Sequence, residues 1–466
     1  MNRRKFLWNY GGGLGGIALA GLLSESGLLA DVPKGLHHPA KAKRVVQLFM
    51  SGAASQVDTF DYKPLLIKLN GQKFDPGGKI ELFQSTPGAV MASPWEWKQH
   101  GQCGKWVSSL VPHLASCVDD IAFVHSMMSK SNVHGPATFM QNSGFILPGY
   151  PSMGAWISYA LGSMNKDLPT FVVLPDSRGF APNGSGNWTN GFLPAAHQGT
   201  MIRASSANPI NDLFPPKDAS YLNPAAEKDT LRVLNEMNQE HLESRVDDSR
   251  LEARIASYEL AAKLQLSAPE VMDISKESPA TLRLYGIDEK VTEDFGRNCL
   301  VARRMLERGV RFVQIWSGAD NGFPRRNWDS HEDIAKDHAA MAASMDKPAA
   351  ALIKDLKSRG MLDDTIVHWV TEFGRMPCSQ GGKGRDHNPT AFTSWVAGGG
   401  FKGGTTYGAS DEWSYKVAEN PTFCYDLHAT MLYLLGIDHM RLTYRHNGID
   451  RRLTDVYGEV IRPIMA

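Results

Sequence analysis

Three short stretches pair a carboxylate with an imidazole or a guanidinium, and each lies beside a strongly apolar run. In Asn327-Trp328-Asp329-Ser330-His331-Glu332, a single residue separates Asp329 from His331. A carboxylate oxygen next to an imidazole nitrogen suits a divalent ion such as zinc or manganese. The same residues also read as a helix cap, Asp329, followed by an exposed His331. In Thr371-Glu372-Phe373-Gly374-Arg375, Glu372 could hold a metal while Arg375 forks onto a phosphate or sulfate, or the two could simply pair. In Gly384-Arg385-Asp386-His387-Asn388-Pro389, His387 is a candidate ligand and Asp386 could orient its second ring nitrogen. Two further places qualify. Asp58 and Asp61, in Ser51-Gly52-Ala53-Ala54-Ser55-Gln56-Val57-Asp58-Thr59-Phe60-Asp61, are possible ligands or turn residues. His134, in Asn132-Val133-His134-Gly135-Pro136, opens an expected helix, where an anion, a metal or simple packing would suit it. His428 sits among small residues inside a helical pattern and reads as a packed side chain.

The elements that position these groups are legible from apolar runs. Arg44–Met50, Thr170–Leu174, Arg311–Trp316, Thr365–Val370 and Phe392–Val396 are short, rich in β-branched and aromatic residues, and closed by Gly, Ser, Pro or Thr. Such runs are typical of buried parallel strands. Helical patterns alternate with them: Ala335–Leu356, in which Pro348 should kink or restart the helix, and Asp426–Leu435, closed by Gly436. Strands alternating with helices predict an α/β sandwich over a mostly parallel sheet with helices on both faces. Ligands of such sheets sit beyond the carboxyl ends of the strands, where the carboxylates and imidazoles fall. Residues 179–216 read as an irregular loop region, and residues 223–266 as a charged helical insertion.

The chain has 466 residues, 42% hydrophobic and 21% charged, with 49 basic and 49 acidic residues balancing to zero. A balanced charge argues against nucleic acid or an anionic membrane as the main partner. Residues 1–30 read as a twin-arginine signal: Arg3-Arg4-Lys5, then a modestly apolar Leu14–Leu23. A bilayer-spanning helix needs roughly 20 apolar residues, so this segment is too short for a stable membrane span. The expected partner at that stage is the twin-arginine export machinery, and the expected location is periplasmic or cell-surface. Five cysteines make no metal-binding spacing; an odd count leaves at least one free thiol, and Cys103–Cys117 pairing is open.

The stretches LFMSGAASQVDTFDYKP, NWDSHEDI, VTEFGR, GRDHNP, DLHATMLYLLGID and GIDRRLTDVYGEVI, in this order, resemble the exported sulfatase-like family called domain of unknown function 1501. The resemblance covers Lys43 to Ile464. It implies an alkaline-phosphatase-like sandwich over residues 43–466 and one or two metals at the strand ends, zinc or manganese in preference to calcium or magnesium. It further implies cleavage of phosphate or sulfate esters. Carried across by position, Glu372 stands where that superfamily has an Asp, Phe373 where it has a His, and Ser51 where it has another Asp. The nucleophile falls near Asn132–His134, leaving Ser131 or His134 itself.

Together these readings lead to an expected metal set of Asp58, Asp329, His331, Glu372 and His387, with His134 and Arg375 as the catalytic pair. The expected protein is an exported metal-dependent hydrolase of a small-molecule or glycan ester. Two alternatives stand beside it: a sulfatase-like fold that only binds sulfated or phosphorylated glycans, and an envelope structural protein.

Overall fold

The computed structural model describes residues 36–165, 167–206, 224–243, 270–320, 322 and 324–466. Its centre is an eight-stranded sheet. In chain order the strands are β1 (Arg44–Met50), β2 (Ile121–Met127), β3 (Phe171–Leu174), β4 (Thr200–Met201), β5 (Phe312–Ser317), β6 (Thr365–Val370), β7 (Phe392–Ala397) and β8 (Thr405–Tyr407). Across the sheet the order is β8-β2-β7-β6-β1-β5-β3-β4. All neighbours are parallel except β7, which runs antiparallel to both β2 and β6.

Alternation along β1 sorts its side chains into two cores. Val46, Leu48 and Met50 enter a cluster with Leu300, Val301 and Met305 of one helix and Met345, Leu352 and Ile353 of another. Val45 and Phe49 face the other way, onto Trp156, Ile157, Leu427 and Met431. Among the described residues the longer helices are α1 (His134–Ser143), α2 (Met153–Leu161), α3 (Pro224–Glu243), α4 (Glu293–Glu307), α5 (Ile334–Ser358) and α6 (Cys424–Leu434). Thus α4 and α5 cover one face of the sheet and α2 and α6 the other, which is the three-layer α/β sandwich the periodicity implied.

Three differences from the expected elements have physical causes. Helix α5 runs through Pro348 without a break. Pro348 lies on the buried side with Met345, Ala349, Leu352 and Ile353, so packing offsets the hydrogen bond that proline cannot donate. Strand β7 is antiparallel, which an apolar run alone does not reveal. Strand β2, with sequence IAFVHSM, escaped because its central His125 and Ser126 interrupt the apolar pattern. Of the charged segment 223–266, helix α3 accounts for Pro224–Glu243, and residues 223 and 244–266 lie outside the described residues. All five cysteines are free thiols, so Cys103 and Cys117 do not pair. Among the described residues no helix is long and apolar enough to cross a membrane.

Candidate metal centre

Strands β1, β5 and β6 are parallel, so their carboxyl ends deliver Ser51-Gly52, Ser317-Gly318 and Thr371-Glu372 to one edge of the sheet. Two close backbone approaches assemble the site there. Gly52 has φ +108°, and a Cβ on it would fall 2.5 Å from the Asp329 nitrogen. A Cβ on Gly384 would fall 1.8 Å from the His331 carbonyl oxygen. Only glycine permits these contacts. They press the 328–331 segment between the turn after β1 and the loop that carries His387.

Four side chains converge as a result. Asp329 Oδ1 lies 3.0 Å from His331 Nε2, 3.3 Å from His134 Nε2 and 3.4 Å from His387 Nε2. His134, Asp329 and His387 are buried, with relative exposures of 6%, 4% and 2%. Each imidazole is held by its other nitrogen. His387 Nδ1 lies 2.6 Å from the Asn132 carbonyl, His331 Nδ1 2.6 Å from Gln380 Oε1, and His134 Nδ1 2.7 Å from Glu372 Oε1. Those oxygens accept, so in the neutral rings Nδ1 carries the proton and Nε2 presents a lone pair. Three imidazole Nε2 atoms therefore gather around one carboxylate oxygen. His331 Nε2 and His387 Nε2 face each other at 2.9 Å, and buried His134 Nε2 faces Asp329 Oδ1. Lone pairs this close repel unless a proton or a cation lies between them.

The electrostatics agree. Burial works against the charged form of Asp329, but Arg375 and the three imidazoles override it and hold the carboxyl well below the usual range. Burial likewise disfavours a charged His134, yet its bonds to Asp329 and Glu372 push its pKa up. Burial lowers His387 to about 3, so that ring stays neutral at ordinary pH. Imidazole nitrogens beside a carboxylate oxygen fit zinc or manganese better than calcium or magnesium, which prefer all-oxygen shells. Two overlapping groups of donors meet the spacing a metal requires, His134–Asp329–His387 and His331–Asp386–His387.

The remaining expected site residues have other places. Glu372 is not in either donor group; it accepts from the Gly52 N–H (2.8 Å) and holds His134, and so acts as an orienting residue. Asp58 is not with the imidazoles either. Its carboxylate is taken by buried Arg385, at 2.7 and 3.1 Å, and by the Ser55 hydroxyl at 2.5 Å. Arg375 has no exposed donor for an anion. Fully buried, it donates to the carbonyls of Ala53, Gly52 and Arg385 and to Asp329 Oδ1 at 2.6 Å. Its work is to anchor Asp329. Asp61 pairs with Lys63 and accepts from Ser410 and Ser414. Asp386 accepts from the His387 backbone N–H and the Ser85 hydroxyl, and does not orient the ring. Helix α5 is capped by Asp333, which leaves Asp329 free for the centre. His428 is packed in α6 against the Gln141 carbonyl. Ser131 sits in a turn, its hydroxyl bonded to the backbone of Val133. Phe373 fills the space between His134 and His387, with ring centroids at 4.9 and 4.6 Å. Sequence reasoning missed Asn132 and Gln380, which fix two of the rings, and Phe83, which stacks on His387 at 4.6 Å. No residue type or spacing marks them.

Because Glu372 acts through His134, Glu372→Gln should lower metal affinity about 10- to 100-fold, the usual cost of losing an orienting partner. Full stoichiometry should return at high metal concentration. Titration with a competing chelator measures this; an unchanged affinity would remove Glu372 from the centre.

Fold and site together define a three-layer α/β protein with a His/Asp centre at the carboxyl edge of its sheet. The chain belongs to the family described as protein of unknown function DUF1501, whose model matches residues 42–465. No curated protein matches the chain. Solved structures overlap loosely. A phosphonate monoester hydrolase from Silicibacter pomeroyi is 14% identical, covers 76% of this chain and 71% of its own, and has a TM-score of 0.36. The PsFucS1 sulfatase from Pseudoalteromonas sp. is 11% identical, with 85% and 68% covered and a TM-score of 0.33. The C-terminal periplasmic domain of EcEptC from Escherichia coli, in complex with zinc, is 10% identical, with 86% and 85% covered and a TM-score of 0.35. Overlaps this loose transfer neither activity nor substrate.

Proposed function

We propose that the protein is a metal-dependent hydrolase of phosphate or sulfate esters. One observation carries this reading: three imidazole Nε2 atoms, each ring fixed by a bond at Nδ1, converge on the oxygen of one buried carboxylate. His134, His331, His387 and Asp329 would hold the ion. What a divalent ion supplies when bound is Lewis acidity toward an ester oxygen and a water of lowered pKa. The chain's own residues set the rest. Asn132, Gln380 and Glu372 keep the rings aimed, and Arg375 holds Asp329 ionised. Arg325, which donates to Asp329 Oδ2 at 3.0 Å, adds a second guanidinium beside the centre. A water nucleophile requires no serine, which accords with the engagement of Ser131 in its own turn.

Turnover of aryl phosphate and aryl sulfate esters by the purified protein, abolished by a chelator and restored by zinc or manganese, is the test. A metal-loaded protein that cleaves neither ester class overturns the hydrolase reading. A second reading, a sulfatase-like protein that binds sulfated or phosphorylated glycans without cleaving them, is favoured by the full engagement of Arg375, which leaves it nothing for a transition state. Glycan binding by the metal-loaded protein without turnover would select it. Export through the twin-arginine route belongs to the same proposal, since a folded protein can carry a metal loaded in the cytoplasm. Cell fractionation with the two arginines replaced by lysines tests it, and unchanged export would refute it.

A further inference from the structure

A second concavity opens on the same edge of the sheet, beyond the ends of β3 and β4. It has a volume of about 250 Å³ and is lined by Asp176, Ser177, Phe180, Arg203, Ser205 and Asn298, among others. Its two lining charges, Asp176 and Arg203, do not pair with each other. Asp176 is neutralised within the loop by Arg178, at 2.8 and 2.6 Å, and also accepts from the Gly318 N–H at 2.7 Å. Arg203 has no carboxylate partner among the described residues. Its guanidinium lies over the Phe180 ring, 5.3 Å from the centroid. Stacking on an aromatic face fixes the plane of a guanidinium while leaving its N–H edge free to fork. The Ser177 hydroxyl is turned away, onto Asp294 at 2.6 Å. The pocket thus presents one guanidinium that, among the described residues, has no carboxylate partner and is pre-oriented by an aromatic face, in a space smaller than the roughly 300–1,000 Å³ of a site for a whole drug-sized ligand.

We propose that this pocket is an anion-recognition subsite, in which Arg203 makes a bidentate contact to a tetrahedral oxyanion, sulfate or phosphate. Oxyanions of this kind match the guanidinium fork, whereas a halide does not. The pocket is built from residues distinct from the His/Asp centre and does not depend on a metal there. Asp176 links the two places, since it bonds Gly318 in the segment before Asp329. The oxyanion could arrive free in solution or attached to a larger ligand. In either case the chemistry at Arg203 is the same.

The experiment is protection of the native, chelator-treated protein from an arginine-specific dicarbonyl reagent, read by peptide mass spectrometry at Arg203. Removing the metal keeps the outcome separate from that of the hydrolase reading. Inorganic sulfate and phosphate at millimolar concentration should slow labelling of Arg203 several-fold. Chloride at matched ionic strength should not, and the exposed Arg283 and Arg441 should label at an unchanged rate. If only a monosaccharide sulfate protects, the oxyanion belongs to a larger ligand; if the inorganic ions suffice, a free anion is bound. Arg203 labelling equally fast under every condition, or slowed no more than Arg283 and Arg441, overturns the proposal. With Phe180→Ala, which releases the guanidinium from its platform, the protection should weaken while both control arginines stay as before.

Discussion

An Asp329→Asn protein will lose its metal, lose well over about 100-fold of any ester hydrolysis, and become less stable by about 3–5 kcal/mol. The activity estimate follows from position. Orienting partners of metal ligands cost about 10- to 100-fold when removed, and Asp329 is the oxygen on which all three imidazoles converge. The stability estimate follows from charge. Among the described residues Asp329 is the only carboxylate paired with the fully buried Arg375, so removing it strands a cation in the interior, and breaking one side of a buried pair costs about that much. Asn keeps the shape, which excludes a cavity as the cause. Elemental analysis, ester assays and denaturant unfolding read the three effects. A variant that keeps its metal would contradict the assigned donor set, and one that melts like the parent would contradict the anchoring role of Arg375.

Asp58→Asn should give a different pattern: a stability loss of similar size, about 3–5 kcal/mol, with metal stoichiometry unchanged under native conditions. Asp58 and Arg385 are both wholly buried, and Arg385 also donates to the carbonyls of Met376 and Met91. The pair therefore ties the turn after β1 to the loop that precedes His387. Removing the Asp58 charge alone leaves Arg385 uncompensated. Removing both charges, in Asp58→Asn with Arg385→Met, should recover part of the loss, because an absent pair costs less than a broken one. Thermal unfolding of both variants beside metal analysis checks this. A stable Asp58→Asn protein without metal would return Asp58 to the ligand set.

The sheet was legible because its strands are buried on both faces and so read as unbroken apolar runs. Where a strand carries a histidine and a serine, as Ile121–Met127 does, that signal fails, and the direction of Phe392–Ala397 leaves no trace in composition. The site was legible in part. His134, Asp329, His331 and His387 stood out as chemical residue types at the ends of runs, on the side of the sheet where ligands bind. What spacing does not carry is the direction of a carboxylate. Asp58 and Glu372 have the same chemistry as Asp329, but the first is claimed by an arginine more than three hundred residues away and the second by a histidine at the start of α1. The engagement of Arg375 with backbone carbonyls is equally invisible, because it arises from the turn that Gly52 closes around it.

Elemental analysis of the protein isolated from its own cells tests the central claim most directly. One equivalent of zinc or manganese per chain in the parent protein, lost in His387→Ala and retained in Asp58→Asn, is the expected result. A folded parent protein that holds no divalent ion and takes up none when zinc or manganese is added would contradict the metal centre and the hydrolase reading built on it.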